Sequence, residues 1–314
     1  MGFPRTADFR AACGIVASAL DATPLFHSPL LGDEASIKVE TVQPTGSFKV
    51  RGALVALSRA DERSRIFTSS TGNHALAVAF AAELTGREAT VVVPRNAPVA
   101  KLAALRRSAA EVIVFGEAYA DAEEHARQLA NDRYEYLSPY DDPGVLAGNG
   151  TLAFELAAQR EGPLTIVCPV GAGGLAAGLG LAACELEQIT IVGVEAEASK
   201  AVSTAVRVGR VVPVEVGPTL ADGLAGNLAA DARTVEVIRR HVSALVAVTE
   251  EEIKRAIRYL LSEHGLLAEG AGAASVAAIL AGKVQPRGHI VAIVSGRNIA
   301  LDALADVLLE DTAA

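Results

Sequence analysis

The sequence predicts an α/β fold: open, mostly parallel sheets with helices on both faces. Three observations lead there. Short runs rich in β-branched residues alternate along the chain with Ala-rich stretches of helical length, the rhythm of strands joined by crossover helices. The strand runs are apolar at nearly every position, as expected where helices cover both faces of a parallel sheet. The 314 residues are 51% hydrophobic and 21% charged, far from disordered compositions and long enough for two domains or one large one. Aromatic residues make up only 4%, with no Trp, so helices are expected to pack on the sheet through small side chains.

Composition also narrows the function. Lys and Arg number 28 against 37 Asp and Glu, a net charge of −9, which argues against a binder of nucleic-acid backbones and for a small-molecule partner. No apolar run reaches the ~18 residues of a membrane span. Cys13, Cys168 and Cys184 have neither paired spacing nor histidines at zinc-ligand intervals, so reduced thiols in a cytoplasm are expected, without disulfides.

In chain order, Ala11–Leu20 reads as a first amphipathic helix, since Asp8 and Arg10 flank it and the chain runs on without a break in composition. A short strand, Ala35–Val39, leads to Gln43-Pro44-Thr45-Gly46-Ser47-Phe48-Lys49, which opens a helix. A lysine set among Ser, Phe and Val just after a turn can be desolvated, leaving a neutral amine able to form a Schiff base; a solvated lysine on a first helical turn is the alternative. A strand ending at Thr68 is followed by Ser69-Ser70-Thr71-Gly72-Asn73-His74 and an Ala-rich helix to Leu84. Simple N-capping explains one polar residue there, whereas four around one glycine point to a ligand loop at a helix start.

Strands are then predicted at Ala89–Pro94 and Glu111–Phe115, and Ser138–Gly144 marks a crossover loop. After the strand Leu164–Pro169 comes Gly171-Ala172-Gly173-Gly174-Leu175, opening another helix. Its glycines let the backbone approach a phosphate, and the helix start supplies N–H donors. Gly171, Gly173 and Ala176 also satisfy a dinucleotide fingerprint, and Glu195 ends the next strand, Ile189–Glu195, at the spacing of a ribose-binding acid. An NAD-dependent oxidoreductase is therefore a rival reading. The strands Ala244–Val248 and His289–Ser295 follow, the latter running into Ser295-Gly296-Arg297-Asn298, a second candidate ligand turn at a strand's carboxyl end.

Together the four segments, Ser47-Phe48-Lys49, Ser70-Thr71-Gly72-Asn73-His74, the glycine loop and Ser295-Gly296-Arg297-Asn298, resemble the pyridoxal-phosphate enzymes of the threonine dehydratase and serine racemase group. The resemblance runs from Thr23-Pro24-Leu25 to Asn298. Ser70–His74, Asp141-Asp142-Pro143, Pro218–Asp222 and Ser295–Asn298 are most similar to hydroxyectoine-utilisation dehydratases.

The resemblance implies a tryptophan-synthase-β-like, fold type II architecture. Residues 1–64 and 143–314 would form a large cofactor domain and residues 65–142 a small mobile one. Lys49 would bind pyridoxal phosphate covalently, beside Phe48; Asn73 would bond the ring's 3′-oxygen. Gly171, Ala172, Gly173, Gly174 and Leu175 would hold the phosphate, with Gly223 lining the ring and Ser295 facing its nitrogen. Ser70, Thr71, Gly72, Asn73 and His74 would receive the substrate. The freed Lys49 amine would remove the Cα proton, the cofactor phosphate would protonate the departing hydroxyl, and Thr71 would be the second catalytic candidate. A serine at the ring nitrogen is a neutral partner, which favours elimination over transamination. The implied activity is dehydration of serine, threonine or a hydroxyectoine-derived amino acid to a 2-oxo acid and ammonia, by a homodimer. Amino-acid racemisation and non-enzymatic cofactor binding are the alternatives.

Three positions depart from the group. Arg297 replaces the second glycine after the late serine. Ala201 stands where the racemases carry an acid six positions beyond Glu195, so no divalent metal is expected. Thr71 stands where racemases have Ser and many dehydratases Ala. The chain's end soon after Ser295 also leads to the expectation of no regulatory domain.

Overall fold

A computed structural model of the chain describes residues 2–61, 64–97, 99–130 and 134–310. Two sheets form the frame. The larger contains β1 (Leu25–His27), β2 (Ala35–Val39), β7 (Leu164–Pro169), β8 (Ile189–Ala196), β9 (Ala244–Val248) and β10 (His289–Val294), in the order β1-β2-β10-β7-β8-β9. Every pairing in it is parallel except β1 with β2. The smaller is wholly parallel, ordered β5-β4-β3-β6 from β3 (Arg65–Ser69), β4 (Ala89–Val93), β5 (Glu111–Val114) and β6 (Tyr134–Tyr136).

The predicted strands are present, with ends that differ by a residue. Pro94, Phe115 and Ser295 fall just outside their strands, while Ala196 extends β8 because it pairs with Val248. β1 and β6 were not anticipated: three residues are too few to show a period. The full burial of β2, β7 and β10 explains their unbroken apolar runs. The first helix, α1 (Thr6–Ala19), starts five residues before the predicted Ala11, because the Asp8 carboxylate accepts the Arg5 N–H at 2.9 Å and caps it there.

The core between the sheets holds α2 (Lys49–Arg59), α3 (Asn73–Thr85), α6 (Pro143–Gln159) and α7 (Gly174–Ala183). The low aromatic content has its counterpart here in backbone contact. A Cβ on Gly148 of α6 would stand 2.4 Å from the Arg51 carbonyl oxygen of α2, and one on Gly178 of α7 would stand 2.6 Å from the Leu146 carbonyl oxygen of α6. The three helices thus touch through their main chains. The Asp142 carboxylate starts α6 by accepting the N–H groups of Gly144 and Val145 at 2.7 and 3.0 Å.

Three buried charges and one half-buried carboxylate, Glu155, join these layers. Arg51 of α2 makes a two-pronged contact with Glu40, just past β2, at 2.8 and 2.9 Å, and reaches Glu155 of α6 at 2.8 Å. Glu155 also binds Lys38 of β2 at 2.5 Å, and Lys38 donates to the Thr23 carbonyl at 2.7 Å. Two cations and two carboxylates balance, with hydrogen bonds to their remaining atoms. Replacing Arg51 by Met leaves Glu40 buried without a cation and is expected to cost about 3–5 kcal/mol. Adding Glu40→Gln should recover part of that loss; urea denaturation of both variants measures it.

Candidate functional site

The carboxyl ends of β2, β7 and β10 open at the same end of the larger sheet, where ligands of parallel sheets gather. Lys49 begins α2 there. The Phe48 N–H donates to the Ser295 carbonyl at 3.0 Å, the Arg297 N–H to the Gly46 carbonyl at 2.9 Å, and Ser47 bridges Gly296. The lysine turn and the late serine turn are therefore zipped together by their backbones. Phe48 and Ser295 are buried and Lys49 half-buried. The Lys49 amine donates to the Pro139 carbonyl at 3.1 Å. Burial pulls its pKa down to about 8, with the Glu269 carboxylate opposing. An amine in that state is a competent nucleophile and base near neutrality.

The glycine loop lies after β7. Gly173 has φ +90°, where glycine is favoured, and a Cβ on Gly171 would stand 2.7 Å from the Gly223 carbonyl oxygen. That contact sets Gly223 against the loop. Tyr140 backs Gly174, its Cα 2.8 Å from where a Cβ would be. The turn's first bond into α7 runs from the Ala177 N–H to the Gly173 carbonyl at 2.8 Å, so the N–H groups at the helix start have no acceptor within the helix. Free N–H groups at a helix start suit an anion.

Glu195 does not serve the dinucleotide reading. It is buried, and its carboxylate accepts the N–H groups of Val202 at 2.9 Å and Ser203 at 3.1 Å, capping α8 (Ala201–Val208). The spacing that suggested a ribose acid belongs to a helix cap. Ala201 is the first residue of that helix. Among the described residues no group of three or more His, Cys, Asp or Glu side chains is placed to hold a metal ion.

The loop from Ser70 to Gly72 joins β3 to α3, and the Gly72 N–H donates to the Ser70 hydroxyl at 3.2 Å. Asn73, the first residue of α3, reaches residues carried by the larger sheet: its amide donates to Glu269 at 2.6 Å and accepts from Asn298 at 2.6 Å. Asn298 also donates to the Thr45 carbonyl at 2.9 Å. His74 turns inward. Its Nε2 lies 3.0 Å from the Thr68 hydroxyl, whose proton goes to the Leu137 carbonyl, so Nε2 must be the donor. Burial, then the Lys49 charge, hold the imidazole pKa well below its usual value. The Nε2 of the imidazole is thus committed inside the fold. Arg297, whose direction the sequence left open, places its guanidinium on the Thr41 carbonyl.

Glu269 and Pro139 were missed by the sequence reading. Glu269 immediately precedes α11 (Gly270–Leu280) in the run Glu269-Gly270-Ala271-Gly272, a buried acid before small residues that could have drawn notice. Pro139 contributes only a carbonyl, for which the sequence carries no signal.

An amine with a lowered pKa, a glycine loop at a helix start and an amide beside the Gly296 turn suit an aldehyde cofactor bearing a phosphate. Residues 16–296 match the family described as pyridoxal-phosphate dependent enzyme. The chain belongs to that family. It is 37% identical over 311 residues to an L-threonine ammonia-lyase of Thermotoga maritima, spanning 96% of this chain and 77% of that one. It is 33% identical to a catabolic L-threonine dehydratase of Staphylococcus aureus, spanning 96% and 91%. Among solved structures, maize serine racemase superposes with a TM-score of 0.88 at 28% identity over 98% of this chain and 97% of that one. The protein is a pyridoxal-phosphate-dependent lyase of fold type II.

When bound, pyridoxal phosphate draws electrons from the substrate carbon that bears the amine. Lys49 is the residue that would hold it covalently, and residues 171–175 are those that would hold its phosphate. Because only a neutral amine attacks an aldehyde, coupling of the cofactor to the apoenzyme should speed up as pH rises, reach half its maximum near pH 8, and level off above. Borohydride-trapped cofactor measured against time at each pH checks this. Lys49→Ala should trap none at any pH while still folding, as circular dichroism would report.

Proposed function

We propose that the protein dehydrates a small hydroxy amino acid, serine or threonine, to a 2-oxo acid and ammonia. The observation that carries the proposal is the Lys49 amine, kept basic near neutrality, on a turn zipped to a serine turn with no carboxylate at position 295. Several relatives are named for threonine dehydration or ammonia release, and a fungal L-serine ammonia-lyase shares the fold at 28% identity with a TM-score of 0.80.

In this reading Lys49 takes the Cα proton of the bound amino acid. Water is lost across the Cα–Cβ bond, and the enamine released to solvent hydrolyses to the 2-oxo acid and ammonia. Ser70, Thr71, Gly72, the Asn73 amide and the His74 main chain hold the substrate carboxylate and exclude water. The Ser295 hydroxyl would face the ring nitrogen, where a neutral hydroxyl cannot hold a proton as a carboxylate would. Phe48 and Gly223 line the ring. Residues 65–142 close over the site as a small domain, and the enzyme works as a homodimer in the cytoplasm, its three cysteines reduced. Keto-acid release from L-serine, D-serine, L-threonine and a hydroxyectoine-derived amino acid, followed with a coupled dehydrogenase, tests the substrate. No release from any of them would refute dehydration.

Racemisation is the second reading, favoured by the likeness to maize serine racemase. It needs an acid on the face opposite Lys49, where Thr71 supplies a hydroxyl on a β-branched side chain with few rotamers. Thr71→Ala should therefore retain dehydration within about threefold and abolish racemisation, while Thr71→Ser raises racemisation. Chiral chromatography of residual serine beside keto-acid release reads both.

A further inference from the structure

Behind the glycine loop stands α9 (Thr234–His241). Thr234, its first residue, is fully buried, and its hydroxyl donates to the Ala172 carbonyl at 2.8 Å. The helix has no side-chain cap of its own at Arg233. The cap comes instead from Asp141, in the loop before α6, whose carboxylate accepts the Thr234 N–H at 3.0 Å and the Arg233 N–H at 3.1 Å. A Cβ on Gly173 would stand 2.5 Å from Ile238 Cδ1 and 3.3 Å from Thr234 Cβ, so the helix lies directly against the loop.

Peptide planarity converts this contact into aim. In a trans peptide the carbonyl and the following N–H point in opposite directions. With the Ala172 carbonyl drawn back onto Thr234, the Gly173 N–H faces away from α9. If the hydroxyl were absent, that peptide plane could turn and bring a carbonyl, with its partial negative charge, toward an anion. We propose that Thr234, held in place by Asp141, is a positioning residue that aims the Gly173 N–H at the cofactor phosphate. The inference rests on the assignment of residues 171–175 to that phosphate, proposed above.

The test compares pyridoxal phosphate with pyridoxal, which lacks the phosphate, by titrating the apoenzyme and following absorbance. Thr234→Val should weaken pyridoxal phosphate roughly five- to tenfold, the scale of one lost hydrogen bond, and leave pyridoxal unchanged. Thr234→Ser should restore wild-type affinity, and Asp141→Ala should weaken the phosphate ester selectively. Equal losses for both ligands, or no loss in Thr234→Val, would overturn the proposal. Gly173→Ala separates the two levels of the argument. If it spares the preference for the phosphate ester, the loop is not the phosphate seat and both fall. If it erases that preference while Thr234→Val keeps it, the positioning role alone falls.

Discussion

The buried charge cluster around Arg51 is the constraint on which the rest of the site depends. Lys38 lies on β2, Glu40 just beyond it, Arg51 on α2 and Glu155 on α6; no one of these charges is affordable in the interior without the others. Burial pulls the Lys38 ammonium below its usual range against the attraction of Glu155, which measures how dry the place is. Since Arg51 follows Lys49 by two residues, anchoring the guanidinium anchors the first turn of α2. The reactive amine is held by a chain of electrostatics that it does not itself join.

The glycines of α6 and α7 act on the same geometry from the other side. Helices that meet through their main chains cannot slide without breaking van der Waals contact along their length. The α2–α6–α7 stack therefore sets the separation between Lys49, at the head of α2, and the glycine loop, at the head of α7. A chain poor in aromatic residues uses small ones to make that separation short.

The two sheets are joined across the site by polar groups. Asn73 begins a helix that follows the smaller sheet, yet its amide is fixed by Glu269 and Asn298, both placed by the larger one. Pro139 and Tyr140, between β6 and α6, touch Lys49 and Gly174 in turn. These contacts depend on direction and on a few hydrogen bonds, so a relative shift of the two sheets would register at the amine and at the anion seat together.

The sequence alone determined the fold class and the local chemistry of the site. Apolar strand runs separated by helical stretches report burial on both faces, and Gly, Ser, Asn and Lys at strand-to-helix turns report local backbone needs, all within a few neighbouring residues. Tertiary structure decided what depends on distant partners. Glu195 had the spacing of a ligand acid, but the head of α8 uses both its oxygens. His74 stood in a ligand motif, and its Nε2 is committed to Thr68. Glu269, Pro139, Asp141 and Thr234 acquire their places from residues up to 196 positions away, or through a carbonyl common to every residue. A side chain's type is written in the sequence, whereas its orientation is set by whichever donor or acceptor the folded chain brings within 3 Å.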